Sequence, residues 1–368
     1  MTNLEAKKLL LSCPGDTIQE HIDTIGMSQA ELAERLGRSV PKLNELIKGK
    51  APITKETATK LEYVLGIPAS FWLSLERTYQ DELLGIERLE FLEQCIAWLK
   101  SFPVSAMKKL GVLPETNEKH VLAESLLKFF RVASPNQWAS FYTNNELAFK
   151  IDLQYTTEPQ AISVWLRLGE IQAEKTQTMD FDKKLIRERM HEIQTLCYQM
   201  PDNWMIKLQE ICSQCGIALV YTPCISKAPI YGASRWIRNF SKPLIQITDR
   251  QKDYNAFWFS FFHELAHILN HGKKDVFISL DNIEPDNEKE KQADDFAARM
   301  LLSEKERNEL FQHSDFTPEL ILDFSRKYRR NPSIIVSQLQ RQTKVYTDFK
   351  LNRLKIKVTF DHLEPIRM

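Results

Sequence analysis

The 368-residue chain lacks several features that mark secreted, membrane-bound or polyanion-binding proteins. Lys and Arg total 49 and Asp and Glu total 49, so the net charge by itself indicates no polyanionic partner. The sequence contains no run of about 18 apolar residues, which predicts that no segment spans a membrane. Residues 1–8 show no basic-then-apolar signal sequence. These absences predict a cytoplasmic protein with no membrane partner.

Cysteine is sparse as well, with six in the chain, which is ordinary usage for a cytosolic protein. Cys212 and Cys215 have the spacing of a redox pair or a zinc knuckle, but either would need a matching pair elsewhere. Because no such pair is present, we interpret the two as cysteines near the end of a helix.

The chain is too long for one compact core, which predicts two or three domains.

An apolar stretch at residues 259–271 contains the spacing His-Glu-x-x-His. At about 3.6 residues per turn, His263 and His267 lie on one face of a helix, one turn apart. Two imidazoles can then reach one metal ion, while Glu264 faces the same cavity. The stretch therefore predicts a buried helix that carries a zinc site.

A catalytic zinc ion takes three protein ligands and keeps one position open, so a third ligand is needed. His271 lies about 12 Å along the helix from His263, which is too far for both to bind one ion. A metzincin would need glycine at position 270 and histidine at position 273, where this chain has Asn270 and Lys273. We expect instead that His271 interacts with the C-terminus of the helix.

A second helix is predicted at residues 288–302 from an apolar stripe, and it offers another candidate for the third ligand. Glu290 and Asp294 lie one turn apart on one face of this helix. Glu290 could bind the ion while Asp294 accepts the free N–H of a ligating histidine, which is the gluzincin arrangement. An exposed acidic face has the same pattern, so the residues alone leave both possibilities open.

Other segments carry weaker signals. Short β-prone runs at 217–222, 228–236 and 244–248 predict a small antiparallel sheet, whose edge strand could bind a peptide by strand addition. The region from about 80 to 199 is predicted to be helical, and we interpret it as a linker and the place for a homodimer or partner surface. Two closing helices are predicted at 318–328 and 332–343, and a strand at 351–358.

The N-terminal part predicts a helix-turn-helix. Its helices are expected at Asp16–Ile25, at residues 29–36 and at residues 40–48, with Asp16 or Thr17 as the first cap. Ser28 and Glu31 predict a capping box at the start of the second helix. The third helix would enter the major groove of DNA, although a plain helical hairpin has the same local pattern.

Residues 28–33, 49–54 and 67–76 resemble the HigA-type antitoxins of the XRE family, and the similarity covers about residues 15–80. By position, the resemblance implies that Gln29 contacts a phosphate or a base edge. Val40 and Pro41 occupy recognition positions but cannot form bidentate hydrogen bonds, so base readout would fall to Lys42 and Asn44. Arg38, Lys48 and Lys50 would contact phosphates. The complete set of expected DNA contacts is Gln29, Arg38, Lys42, Asn44, Lys48 and Lys50.

Residues 258–269, 290–297, 231–236 and 331–340 resemble the ImmA/IrrE family of metallopeptidases, with similarity over about residues 205–345. Members are typically zinc-dependent endopeptidases that cleave a repressor protein. The resemblance implies that His263, His267 and Glu290 bind Zn²⁺. It also implies that Glu264 is the general base, and that Asp294 accepts the free N–H of a ligating histidine. Tyr231, Arg235 and His271 are candidates for stabilising the oxyanion.

The sequence thus predicts a mainly α-helical protein with a small antiparallel β-sheet, of the α+β class. We expect a DNA-binding domain at 1–80, a helical linker at 81–200, a zincin-like peptidase domain at 201–345 and a basic tail at 346–368. The partners would be operator DNA and a repressor or antitoxin protein that is cleaved, as in a mobile-element or toxin–antitoxin setting. The alternative is a non-catalytic antitoxin or autorepressor whose peptidase fold only binds a partner.

Overall fold

The computed structural model describes residues 3–144, 159–226, 228–280, 288–344 and 346–360. The chain divides into two compact units, one of Met1–Ala97 with Glu118–Glu124 and one of Trp98–Asn117 with Ser125–Met368. The domain boundaries expected after residues 80, 200 and 345 stay a prediction. Within the described ranges, no helix is both long and apolar enough to cross a membrane.

The first 144 residues are helical in nearly all of their described length. The helices are α1 (Asn3–Leu10), α2 (Pro14–Thr24), α3 (Gln29–Arg35), α4 (Val40–Ile47), α5 (Lys55–Leu65), α6 (Ala69–Leu99), α7 (Val104–Lys109), α8 (Lys119–Phe130) and α9 (Pro135–Ala139), followed by a π-helical turn (Ser140–Asn144).

The remaining chain combines helices with four short strands. The helices are α10 (Pro159–Lys175), α11 (Lys183–Glu188), α12 (Met190–Gln199), α13 (Trp204–Gln214), α14 (Tyr254–Asn270), α15 (Glu288–Leu301), α16 (Glu304–Leu310), α17 (Pro318–Tyr328), α18 (Pro332–Thr343) and α19 (Phe349–Asn352). The strands are β1 (Ala218–Tyr221), β2 (Ile230–Ile237), β3 (Lys242–Ile247) and β4 (Phe277–Leu280). This content confirms the predicted α+β class.

Helix α2 begins two residues earlier than the sequence predicts. The Asp16 carboxylate accepts a hydrogen bond from the backbone N–H of Cys13 at 2.9 Å, so Cys13 is the N-cap and Asp16 lies in the first turn. Ser28 caps α3 as predicted, because its hydroxyl accepts from the backbone N–H of Glu31 at 3.2 Å. The Glu31 carboxylate pairs with Arg35 instead of completing the expected capping box.

The first unit is held together by an apolar core that α2 to α6 share. Its largest member is Trp72, which is fully buried and donates from Nε1 to the Ile67 carbonyl at 3.2 Å. Burial of side chains on both α3 and α4 fixes the crossing of these two helices. The buried core residues are Ile18, Ile22, Leu32, Ala33, Leu36, Leu43, Leu46, Ile53, Ala58, Leu61, Leu65 and Trp72.

The sheet in the second unit has the strand order β1-β3-β2-β4. Strand β2 is antiparallel to both β3 and β4, whereas β1 is parallel to β3. The sheet is therefore mixed, which corrects the prediction of a purely antiparallel sheet. The reason is that β2 and β3 form a hairpin and β1 lies on the outer side of β3. Strand β4 follows α14 in the chain, and the sequence analysis missed it.

Helices cover both faces of this sheet. On one face, α10 packs against Ala218, Val220 and Leu244. On the other face, α14 buries apolar side chains along nearly its whole length, as expected for a helix that is hydrophobic on all sides. Helix α14 therefore lies in the core of the unit, between the sheet and the later helices.

Helices α17 and α18 have the bounds that the sequence predicts, but the strand predicted at 351–358 is wrong. These residues form the end of α19 and then an extended segment without a partner strand among the described residues. Individual hydrogen bonds hold the segment in place. The Ile356 carbonyl accepts from the backbone N–H of Tyr254, and the backbone N–H of Phe360 donates to the Asp249 carboxylate. The alternation of apolar and polar residues is explained by the burial of Val358 and Phe360 in the core.

Candidate metal centre and nucleic-acid interface

Helices α14 and α15 bring the predicted metal ligands together. Asp253 caps α14 by accepting from the backbone N–H of Ala256 at 3.0 Å, which sets the register of the helix. His263 and His267 follow on one face and are 6% and 2% exposed, so neither imidazole is open to bulk water. Glu290, in the first turn of α15, faces both rings.

The three donor atoms form a compact triangle. Nε2 of His263 lies 3.0 Å from Nε2 of His267, and the Glu290 Oε2 atom lies 3.1 Å and 3.5 Å from these two nitrogens. In a tetrahedral zinc site with bonds of about 2.0–2.1 Å, neighbouring donors lie roughly 3.3–3.4 Å apart. The described residues contain no second cluster of three such side chains with this spacing. The donor set therefore fits a zinc-sized cation.

Each histidine of the triangle also has a partner for its other ring nitrogen. The Nδ1 atom of His263 lies 2.8 Å from Asp294 Oδ1, as the sequence analysis expects of a supporting carboxylate. The Nδ1 atom of His267 lies 2.9 Å from Nδ1 of His271. His271 also ends α14 through its backbone N–H, which donates to the His267 carbonyl at 3.0 Å. Its side chain is thus part of the site, beyond the helix-end role that the sequence predicts.

The electrostatics of the cluster tie the histidines to the carboxylates. Burial alone would lower the pKa of His263, but its hydrogen bonds to Asp294 and Glu290 outweigh burial and raise this pKa to about 10. Burial alone would raise the pKa of Glu290, but its hydrogen bonds to His263 and His267 lower it to about 2. A cation that binds here replaces a proton, as metal ligation by imidazole requires.

Glu264 is fully buried beside the triangle, and its two carboxylate oxygens have different surroundings. Its Oε1 atom accepts from the Ser279 hydroxyl of β4 at 2.6 Å. Its Oε2 atom is buried and has no hydrogen-bond partner among the described residues. Burial raises the pKa of this carboxyl, and the nearby histidines oppose that rise only in part. One oxygen is therefore fixed and the other is available to a small molecule that enters the site.

The residues proposed to stabilise the oxyanion lie in different places in the structure. Arg235 faces α10, where its guanidinium donates to the Leu166 carbonyl at 2.7 Å and to Gln246 Oε1 at 3.2 Å. Arg235 therefore lies on the opposite face of the sheet from Glu264. This position excludes it as the residue that stabilises the oxyanion. Tyr231 lies at a β-bulge beside Gly232 and lines a small cavity together with Ser260 of α14. A role for Tyr231 at the oxyanion stays a prediction.

Gly232 and Ser279 are site residues that the sequence analysis missed as such. A methyl group on Gly232 would lie 2.9 Å from Glu264 Oε1, so only glycine leaves room for the carboxylate here. Ser279 belongs to the four-residue strand β4, whose only sequence signal is the short β-prone run at 277–280. Gly232 pairs directly with Ser279 between β2 and β4, which brings both residues to the Glu264 side chain.

The predicted DNA contacts lie on α3, on α4 and in the turns around them. Gln29, at the start of α3, donates to Gln19 Oε1 at 2.5 Å, so its amide is oriented by the preceding helix. Arg38, in the turn between α3 and α4, is half-buried and donates to the Thr57 hydroxyl. These two side chains are fixed by the protein itself.

Helix α4 presents a mixed surface at its N-terminal end. Val40 is 40% exposed and Pro41 is exposed beside it, which gives apolar contact area where a helix would meet base edges. Asn44 is half-buried on the next turn. The exposed lysines of this region are Lys42, Lys48 and Lys50.

Comparisons with known proteins agree with both parts of this description. Residues 212–343 match the family described as IrrE N-terminal-like domain, of the M78 peptidases. Residues 20–72 match the helix-turn-helix family. The chain is 36% identical over 83 residues to YddM, described as an uncharacterized HTH-type transcriptional regulator of Escherichia coli (strain K12). That alignment covers 22% of this chain and 88% of the relative.

Proposed function

The chain belongs to the helix-turn-helix transcriptional regulators through its N-terminal part and carries an IrrE N-terminal-like domain of the M78 peptidases in its C-terminal part. On this basis we propose that it binds operator DNA and cleaves a repressor or antitoxin protein with a bound zinc ion. The observation that carries the proposal is the donor triangle of His263, His267 and Glu290 beside a buried carboxylate with one free oxygen.

The proposed chemistry divides between the ion and the side chains around it. A zinc ion held by the triangle would lower the pKa of bound water toward about 7 and polarise the scissile carbonyl. Glu264 Oε2 takes up the proton of the attacking water and delivers it to the leaving amine, a role worth about 10²–10⁴-fold in rate. Ser279 holds the other carboxylate oxygen, so that Oε2 stays directed into the site.

The association of a DNA-binding domain with this site supports a regulatory substrate. A peptidase used for general digestion has no need of operator DNA, whereas removal of a repressor or antitoxin changes transcription directly. We therefore propose that the substrate is such a protein.

The test compares the proteomes of cells that express the wild type or Glu264→Gln, with both proteins at equal levels. We expect at least one repressor-like or antitoxin-like protein to be depleted only by the wild type. Equal abundance of every such protein in the two cultures would contradict cleavage. That outcome would favour the alternative in which the peptidase fold only binds a partner.

Gly232→Ala should impair cleavage without unfolding the protein. The added methyl group would lie 2.9 Å from Oε1 and 3.0 Å from Cγ of Glu264, and the buried carboxylate must shift. A displacement of about 1 Å can cost roughly 10²-fold in rate. The measurement is the cleavage rate, with thermal unfolding to confirm the fold. Gly85→Ala, whose added methyl group meets nothing within 4 Å, is the matched control.

We propose that α4 reads DNA through Lys42 and Asn44, and that Val40 and Pro41 make apolar contacts such as those to thymine methyl groups. The double variant Lys42→Ala/Asn44→Ala should weaken binding by at least about 30-fold, because each base contact contributes about 1–3 kcal/mol. The measurement is a mobility shift on duplexes that the wild type selects from a random pool. Lys60→Ala on α5 is the control. An unchanged affinity in the double variant would remove α4 as the reading helix.

A further inference from the structure

His271 lies in contact with a proposed metal ligand, and the chemistry proposed above does not use its side chain. It follows α14 directly, and its Nδ1 atom lies 2.9 Å from Nδ1 of His267. Its Nε2 atom is buried and has no hydrogen-bond partner among the described residues. The His267 ring is also stacked on Phe277, with ring centroids 3.7 Å apart and planes 13° from parallel. The ring of His267 is thus held from two sides.

The chemistry of imidazole decides which of the two histidines donates this hydrogen bond. A neutral histidine carries one proton, on Nδ1 or on Nε2, and only the unprotonated nitrogen can bind a metal. The Nε2 atoms of His263 and His267 point at each other and at Glu290, so both rings must carry their proton on Nδ1 when the ion is bound. The His267 side chain is fully buried, and its Nδ1–H group therefore needs a protein acceptor.

We propose that His271 is a positioning residue for His267. Its Nδ1 atom accepts the Nδ1–H of His267 and so keeps the Nε2 lone pair of His267 directed at the metal. His271 then carries its own proton on Nε2. This is the counterpart of what Asp294 does for His263, at 2.8 Å, but with a neutral acceptor in place of a carboxylate.

The inference rests on the proposed metal site and predicts a loss of zinc affinity that depends on the acceptor. His271→Asn and His271→Leu have side chains of similar size, and the Asn side-chain oxygen can replace the Nδ1 acceptor. We expect His271→Leu to bind zinc about 10–100-fold more weakly than the wild type, as is usual when a partner of a ligand is removed. The affinity of His271→Asn should stay close to that of the wild type.

The experiment measures zinc affinity of the full-length proteins by competition with a chromophoric chelator. Nuclear magnetic resonance on histidine-labelled, zinc-loaded samples adds a second readout. The Nδ1–H proton of His267 should exchange slowly in the wild type and in His271→Asn, and rapidly in His271→Leu. Circular dichroism checks the fold of each variant.

The outcomes separate this inference from the function on which it rests. Wild-type protein that binds no zinc would contradict the proposed peptidase. Tight binding by the wild type, with equal affinity in His271→Leu, would overturn the positioning role and leave the metal site intact. Equal weakening in the Asn and Leu variants would also overturn it, because the effect would then not depend on the acceptor. If His271→Leu fails to fold, proton exchange at His267 in the wild type decides: fast exchange overturns the proposal.

Discussion

Purified full-length protein should carry a single zinc ion and should lose it when His267 is changed to alanine or Glu290 to glutamine. The donor atoms of the cluster lie 3.0–3.5 Å apart, close to the edge lengths of a tetrahedral zinc site. Loss of a residue that merely supports a ligand costs about 10–100-fold in affinity, and loss of a ligand should cost more than about 100-fold. The measurement is zinc content by atomic emission, together with affinity by chelator competition.

Two substitutions serve as controls for these ligand variants. His313→Ala removes an exposed histidine, and Asp295→Asn removes an exposed carboxylate from the same helix as Glu290. Neither should change the zinc content. Full retention of zinc in both His267→Ala and Glu290→Gln would show that the ion, if present, is held elsewhere. Zinc absent from the wild type would remove the metal centre altogether.

Glu264→Gln should keep the zinc ion and lose about 10²–10⁴-fold in cleavage rate. The amide has the shape of the carboxylate, and its oxygen can still accept from the Ser279 hydroxyl, which now donates to Oε1 at 2.6 Å. The NH₂ group in the place of Oε2 cannot take a proton from water. The fold and the metal are therefore retained while the general base is lost.

The measurement is the rate at which a fragment of the depleted protein appears under single-turnover conditions. Glu288→Gln, at an exposed position of α15, is the control and should cleave at the wild-type rate. Wild-type cleavage by Glu264→Gln would show that another group moves the proton. Loss of zinc in the same variant would mean that the carboxylate also holds the ion.

The sequence is most predictive where one residue type serves one local purpose. Ser28 caps α3, and Pro318 and Pro332 stand at the first position of α17 and α18, so these helix starts lie where expected. The spacing of His263 and His267 predicts a shared helix face because helical geometry admits no other arrangement at that distance. These features follow from neighbours within one turn.

Features that depend on contacts distant in sequence were missed or misplaced. Strand β4 is only four residues long and is recognised through its pairing with β2, some 45 residues earlier. The extended segment near Phe360 alternates like a strand, yet it is anchored by Asp249 and has no strand partner among the described residues. Arg235 carries no local sign that its side chain turns to the face of the sheet opposite Glu264. Tertiary packing decides each of these.

The role of His271 illustrates the same limit within the site. Helical spacing argues against His271 as a ligand that shares an ion with His263, but spacing does not predict what a histidine just past the helix does. The chain leaves the helix at this residue, with extended backbone, and the ring turns back onto His267. That turn follows from the backbone after Asn270, which no periodic pattern describes.

The metal centre is tested most directly by X-ray absorption at the zinc edge of the purified full-length protein. We predict a shell of nitrogen and oxygen donors at about 2.0–2.1 Å, with the scattering pattern of two imidazole rings and no sulfur at about 2.3 Å. His267→Ala should lose the ion, and zinc added back to this variant in excess should not give the pattern of two imidazole rings. A sulfur shell, or a spectrum that is unchanged in His267→Ala, would contradict the assignment of His263, His267 and Glu290 as the ligands.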